Sequence, residues 1–68
     1  MNIKEYAGIN LDINDIFLSK SKNLEYKVET IDYPKELVIF SKRNGAKTNL
    51  SFSFIKEQID NNNWIKTS

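Results

Sequence analysis

The sequence predicts a small α+β domain. Three observations carry that expectation: an Asn-Gly turn between two apolar runs, a strand-period stretch ahead of it, and a change to helical period after it. The expected order is an N-terminal helix, a three-stranded antiparallel meander over 24–31, 36–42 and 47–54, and a C-terminal helix over about 54–62. All 68 residues belong to a single α+β domain in this reading.

The first element rests on capping chemistry. Asp12 stands where an N-cap would, Asp15 three residues later, and Ile13, Ile16 and Phe17 form an inner stripe up to Lys20. Ile9, Leu11 and Ile13 also alternate, so a strand is the alternative there. Ser19 to Asn23 is the loop after it. From Leu24 to Ile31 the period is two, with Leu24, Tyr26 and Val28 set against Glu25, Lys27 and Glu29. Asp32-Tyr33-Pro34-Lys35 is a turn, because Pro presets φ and has no N–H for a ladder.

Turn length then sets the expected register. With Tyr33-Pro34 as loop, Val28 falls opposite Ile39 and Lys27 opposite Phe40. With Asn44-Gly45 as a two-residue loop, Ile39 pairs with Leu50 and Leu37 with Phe52. Leu37 and Ile39 are then inward, and Val38 and Phe40 lie on the polar face beside Ser51 and Asn49. After Phe54, Ile55, Gln58 and Ile59 keep helical spacing, with Ser53 as N-cap, Glu57 as a first-turn acid and Asn61-Asn62-Asn63 as the stop. Trp64 and Ile65 are expected to fold back on the core edge.

Composition narrows the function. The chain is 40% hydrophobic and 28% charged, with a net charge of +1, which is ordinary globular composition. Cys and His are both absent. That removes disulfides, thiolate nucleophiles, zinc-thiolate sites and the commonest general base. The carboxylates Asp12, Asp15, Asp32 and Asp60 are scattered among turns and helix ends. The expectation is therefore a protein that is not an enzyme, with no cofactor and no metal. No apolar run approaches the roughly 20 residues needed to cross a bilayer. Met1 to Tyr6 does not resemble a signal peptide, so a cytoplasmic protein is expected. Nine of ten cations are Lys, and Asn and Ile each occur nine times. AT-rich codons specify those residues, which points to a low-GC bacterium, a phage or a mobile element.

Two surface features are candidate binding sites. Lys42, Arg43 and Lys47 cluster at the tip of the Asn-Gly hairpin, as a basic finger for phosphate or for an acidic partner. Val38 and Phe40, with Lys27 beside them, place an aromatic on a polar sheet face, a feature of contact sites. Tyr33 in the Pro turn is a third candidate contact. The leading expectation is a small interaction module that binds and occludes a protein partner, or pairs with a second copy of itself. The alternative is nucleic-acid binding through the basic tip and the adjoining sheet face. In outline, helix, three-stranded meander and helix resembles a double-stranded-RNA-binding domain. That family opens its second helix on a basic motif, whereas Phe54-Ile55-Lys56-Glu57-Gln58 here carries one Lys and one Glu. No residue role is carried over from it.

Overall fold

A computed structural model describes residues 11–67. Those residues form β1 (Ile16–Ser19), β2 (Leu24–Asp32), β3 (Leu37–Lys42), β4 (Lys47–Ser51), α1 (Phe52–Asp60) and β5 (Trp64–Lys66). The strands make one five-stranded antiparallel sheet in the order β4-β3-β2-β1-β5. The helix links the two edge strands and buries Phe52 and Ile55 in the core. This overturns the expected N-terminal helix and three-stranded meander, and with them the outline shared with double-stranded-RNA-binding domains. The reading of Met1 to Tyr6 and the alternation at Ile9 lie outside the described residues.

The segment read as a first helix is a turn and then a strand. Its capping chemistry is present: the Asp12 N–H donates to Asp15 Oδ2 at 2.8 Å. The backbone nevertheless turns back at once, because Asn14 sits at φ 75 and the Asp15 N–H reaches the Asp12 carbonyl at 3.1 Å. Asn tolerates that left-handed conformation, and a single such residue ends any helix. β1 then pairs with β2, setting Phe17 opposite Tyr26 and Ser19 opposite Leu24. On its other side it pairs with β5, Ser19 opposite Trp64.

The β3–β4 register differs from expectation by one residue, and the β2–β3 register by two at the turn and by one beyond a bulge, which reverses the faces of β3. A two-residue Asn-Gly turn needs positive φ at both positions. Here only Gly45 has it, at φ 90. The Gly45 N–H bonds the Lys42 carbonyl, and the Lys42 N–H bonds the Ala46 carbonyl at 2.7 Å, so Arg43-Asn44-Gly45 form the loop. Asn44 Oδ1 accepts from the Ala46 N–H, which holds the turn from inside. The pairs become Val38–Leu50, Ile39–Asn49 and Phe40–Thr48. At the other end the turn takes in Tyr33 to Glu36, with the Glu36 N–H on the Tyr33 carbonyl and Asp32 Oδ1 accepting from the Lys35 N–H. Pro34 occupies the second turn position, where its fixed φ suits it. A bulge between Val28 and Thr30 then shifts the ladder. With it, Val28 lies opposite Phe40 and Ile31 opposite Val38, so Val28 and Ile31 face the same way.

Val38 and Phe40 are accordingly core, each 0% exposed. Leu37 and Ile39 are half-buried on the opposite face. The core also holds Leu11, Phe17, Tyr26, Val28, Phe52, Ile55 and Trp64. The helix is capped two residues earlier than expected: Ser51 Oγ accepts from the Phe54 N–H at 3.1 Å. Glu57 therefore lies beyond the first turn. Asn61 caps the end and Asn62 takes the left-handed conformation at φ 60, which releases the chain into β5.

The reversed parity sets two measurable expectations. Phe40→Ala should cost on the order of 3–5 kcal/mol by urea unfolding, close to the whole stability of so small a domain, while Ile39→Ala should cost about 1 kcal/mol or less. Gly45→Ala should cost about 1 kcal/mol through the backbone alone, since a Cβ there would meet nothing within 4 Å.

Candidate functional site

Alternation along the strands divides the sheet into a face covered by α1 and an outward face. On the outward face, register places Ile16, Lys27, Ser41 and Lys47 in one row across four strands. Lys27 and Lys47 are exposed and stand two strand spacings apart, about 10 Å. Arg43 joins them from the hairpin tip, where its Nη2 lies 3.0 Å from Glu25 Oε1. The Arg43 side chain is 88% exposed, so the pair is screened by water and fixes position more than it adds stability. A shallow depression of about 180 Å³ opens among these groups, lined by Ile16, Glu25, Lys27, Ser41, Lys42 and Arg43. Aliphatic side chains flank it: Leu18 beside Glu25 and, on β5, Ile65, which is 42% exposed.

Of the candidate contacts read from the sequence, Lys27, Arg43 and Lys47 share this face. Lys42 ends β3, half-buried, and also lines a second cavity on the helix side. Val38 and Phe40 do not belong to the surface, because the hairpin register turns them into the core. Lys27 is opposite Ser41 and not Phe40. Tyr33 is not an exposed turn residue either. It is half-buried, and its ring meets Phe52 edge-on at 6.2 Å.

The second cavity, about 130 Å³, lies between the sheet and α1, where Phe54 and Gln58 line it. Tyr26, Phe54 and Trp64 wall it, and Lys22 and Lys42 contribute the charged groups. Among the described residues no carboxylate lines it. Gln58 and Asn63 close one side, joined by an Asn63 Nδ2 to Gln58 Oε1 hydrogen bond of 2.6 Å. Asn63 is held in turn by the β1–β2 loop, its Oδ1 accepting from the Ser21 N–H and its carbonyl from the Lys20 N–H. Sequence reasoning missed this site, since its walls come from the helix, every strand and two loops. The exposed Phe54, 39% accessible at the end of an otherwise apolar cluster, was the one signal that could have marked it.

Among the described residues no group of three or more carboxylates is placed to hold a metal ion, and no helix is long and apolar enough to cross a membrane. The chain matches no protein-family model, no curated protein and no solved structure.

Because the Arg43–Glu25 pair is exposed, Arg43→Ala should leave stability within about 0.5 kcal/mol by urea unfolding. A larger loss would show that the guanidinium stem packs on the sheet.

Proposed function

We propose that this chain is a small, non-enzymatic interaction module that engages an acidic, extended segment of a protein partner on the outward sheet face. The observation that carries the reading is the row Ile16, Lys27, Ser41 and Lys47 beside Arg43 and Glu25. It alternates cationic and aliphatic or small side chains across the strands. An extended peptide turns alternate side chains to one face, so a peptide with acidic residues at every second position presents only carboxylates to these cations.

Nucleic acid is the second reading, and one feature counts against it. The outward face lacks an aromatic platform for bases among its described residues, since Phe40 is core. Four cations in reach of one patch, Lys27, Lys42, Arg43 and Lys47, keep backbone binding as an outcome of the experiment. Cytoplasmic residence and a phage or mobile-element origin belong to the same proposal and rest on composition.

Amide-resolved NMR tests the reading. Titration with a short synthetic peptide alternating Glu and Leu should shift the amides of Ile16, Lys27, Ser41 and Lys47 and saturate. Lys27→Glu with Lys47→Glu should weaken binding at least tenfold, about 1.4 kcal/mol, without unfolding the sheet. Shifts spread evenly over the molecule, or binding indifferent to the double reversal, would end the proposal. A gel shift with single-stranded DNA or RNA that persists near ~100 mM salt would move the assignment to nucleic acid.

A further inference from the structure

We propose that the cavity beside α1 binds a small oxyanion, either a carboxylate or a phosphate carried on a molecule of about amino-acid size. It lies on the helix side and shares only Lys42 with the outward depression, and its binding is argued from Lys22 and Ser19, which the outward face does not use.

Charge is the first argument. Lys22 and Lys42 line the cavity, and among the described residues no carboxylate does. In a chain of net charge +1 with nine acids, an opening that gathers two ammonium groups and no acid is selective for a negative guest. Neither lysine is consumed by an ion pair among the described residues; the pairs there are Arg43–Glu25, Lys56–Asp60 and Lys66–Asp15.

Ser19 is the second argument. It is 1% exposed, the one buried polar side chain of the described core, and it lines the same cavity. Its hydroxyl faces only Ser21 Oγ, at 3.5 Å. A hydroxyl bond is ordinarily about 2.7–2.8 Å, so this contact leaves the group under-used, and buried polar groups are ordinarily well bonded. An oxygen bridging them from the cavity side, about 2.8 Å from each, would satisfy both hydroxyls. The Gln58–Asn63 amide pair offers further hydrogen bonds at the opposite wall.

Shape sets the size of the guest. A volume of about 130 Å³ admits an oxyanion with a short apolar or planar body, and no polymer. Phe54, exposed at the opening and edge-on to Trp64 at 6.3 Å, is the surface such a body would lie against.

Trp64 is the only tryptophan in the chain and it forms a wall of the cavity, so its emission reads occupancy without a label. The full chain would be titrated at constant ionic strength with inorganic phosphate, phenyl phosphate and benzoate, with benzyl alcohol as the uncharged control. The expected result is a saturable change in Trp64 emission in the millimolar range or tighter for at least one anion and none for the alcohol. Lys22→Gln, in an exposed loop and harmless to folding, should weaken that binding by roughly tenfold, and Ser19→Ala by a similar factor. Lys47→Gln, on the outward face, should leave it unchanged. Phosphate alone saturating would identify the guest as a phosphate; benzoate alone, as a carboxylate. A linear response to every anion, or saturable binding that survives Lys22→Gln, would overturn the proposal.

Discussion

The indole of Trp64 holds the architecture together. It stacks on Tyr26 of β2 at 4.9 Å and 16°, meets Phe40 of β3 edge-on at 5.3 Å, and lies 5.8 Å from Phe17 of β1 and 6.3 Å from Phe54 of α1. One side chain thus joins three strands and the helix to the three-residue strand that carries it. So short a strand has little ladder of its own. Its pairing with β1 is stabilised by the ring cluster, and the Lys66–Asp15 contact of 3.2 Å at its far end is partly exposed and secondary. A domain of this length buries about 60% of its unfolded surface, so one such cluster is a large share of its core.

Much of the sheet was legible in the chain. Strand period marked β2 and β3, the Asn-Gly pair marked the β3–β4 hairpin, and the triple Asn marked the end of α1. Parity was the failure. A strand's side chains have period two, so a register shift of one residue inverts an entire face. The Asn-Gly loop is one residue longer than counted; the Tyr33-Pro34 loop is two longer, which keeps parity, and the bulge between Val28 and Thr30 supplies the inverting residue. The two expected registers therefore agreed with one another while both were wrong, and their agreement tests only whether they share a parity. An independent constraint was available in the aromatic residues. Phe40 outward would be a lone ring among Glu25, Lys27 and Asn49, whereas Phe40 inward gains Tyr26 and Trp64 as partners.

β1 was not legible for a different reason. The Asp12–Asp15 hydrogen bond that suggested a helix start is real, but a capping bond specifies one turn of backbone and leaves the next residues free to extend. Positive φ at Asn14 decides against the helix, and Asn occupies caps and turns alike. The candidate site divides along the same line. Lys27, Arg43 and Lys47 are exposed as read, because charge places a residue on the surface whatever the register. Val38 and Phe40 were misplaced because an apolar residue's side of a sheet depends on register alone.

The helix-side cavity arises from a mismatch of lengths. Five strands span about 19 Å from first axis to last, and the nine residues of α1 cover about 13 Å. The helix therefore ends short of the sheet's far edge, and the remaining distance is crossed by Asn61-Asn62-Asn63. Asparagines can turn the chain there with left-handed φ, but they bring amides where an apolar helix face would have brought methyl groups. The Asn63 amide is satisfied by Gln58 and by the β1–β2 loop, which draws Ser21 and Lys22 to the same corner. The polar character of the cavity is thus a consequence of how the crossover is completed. The short helix and the polar pocket are in that sense one feature of the fold.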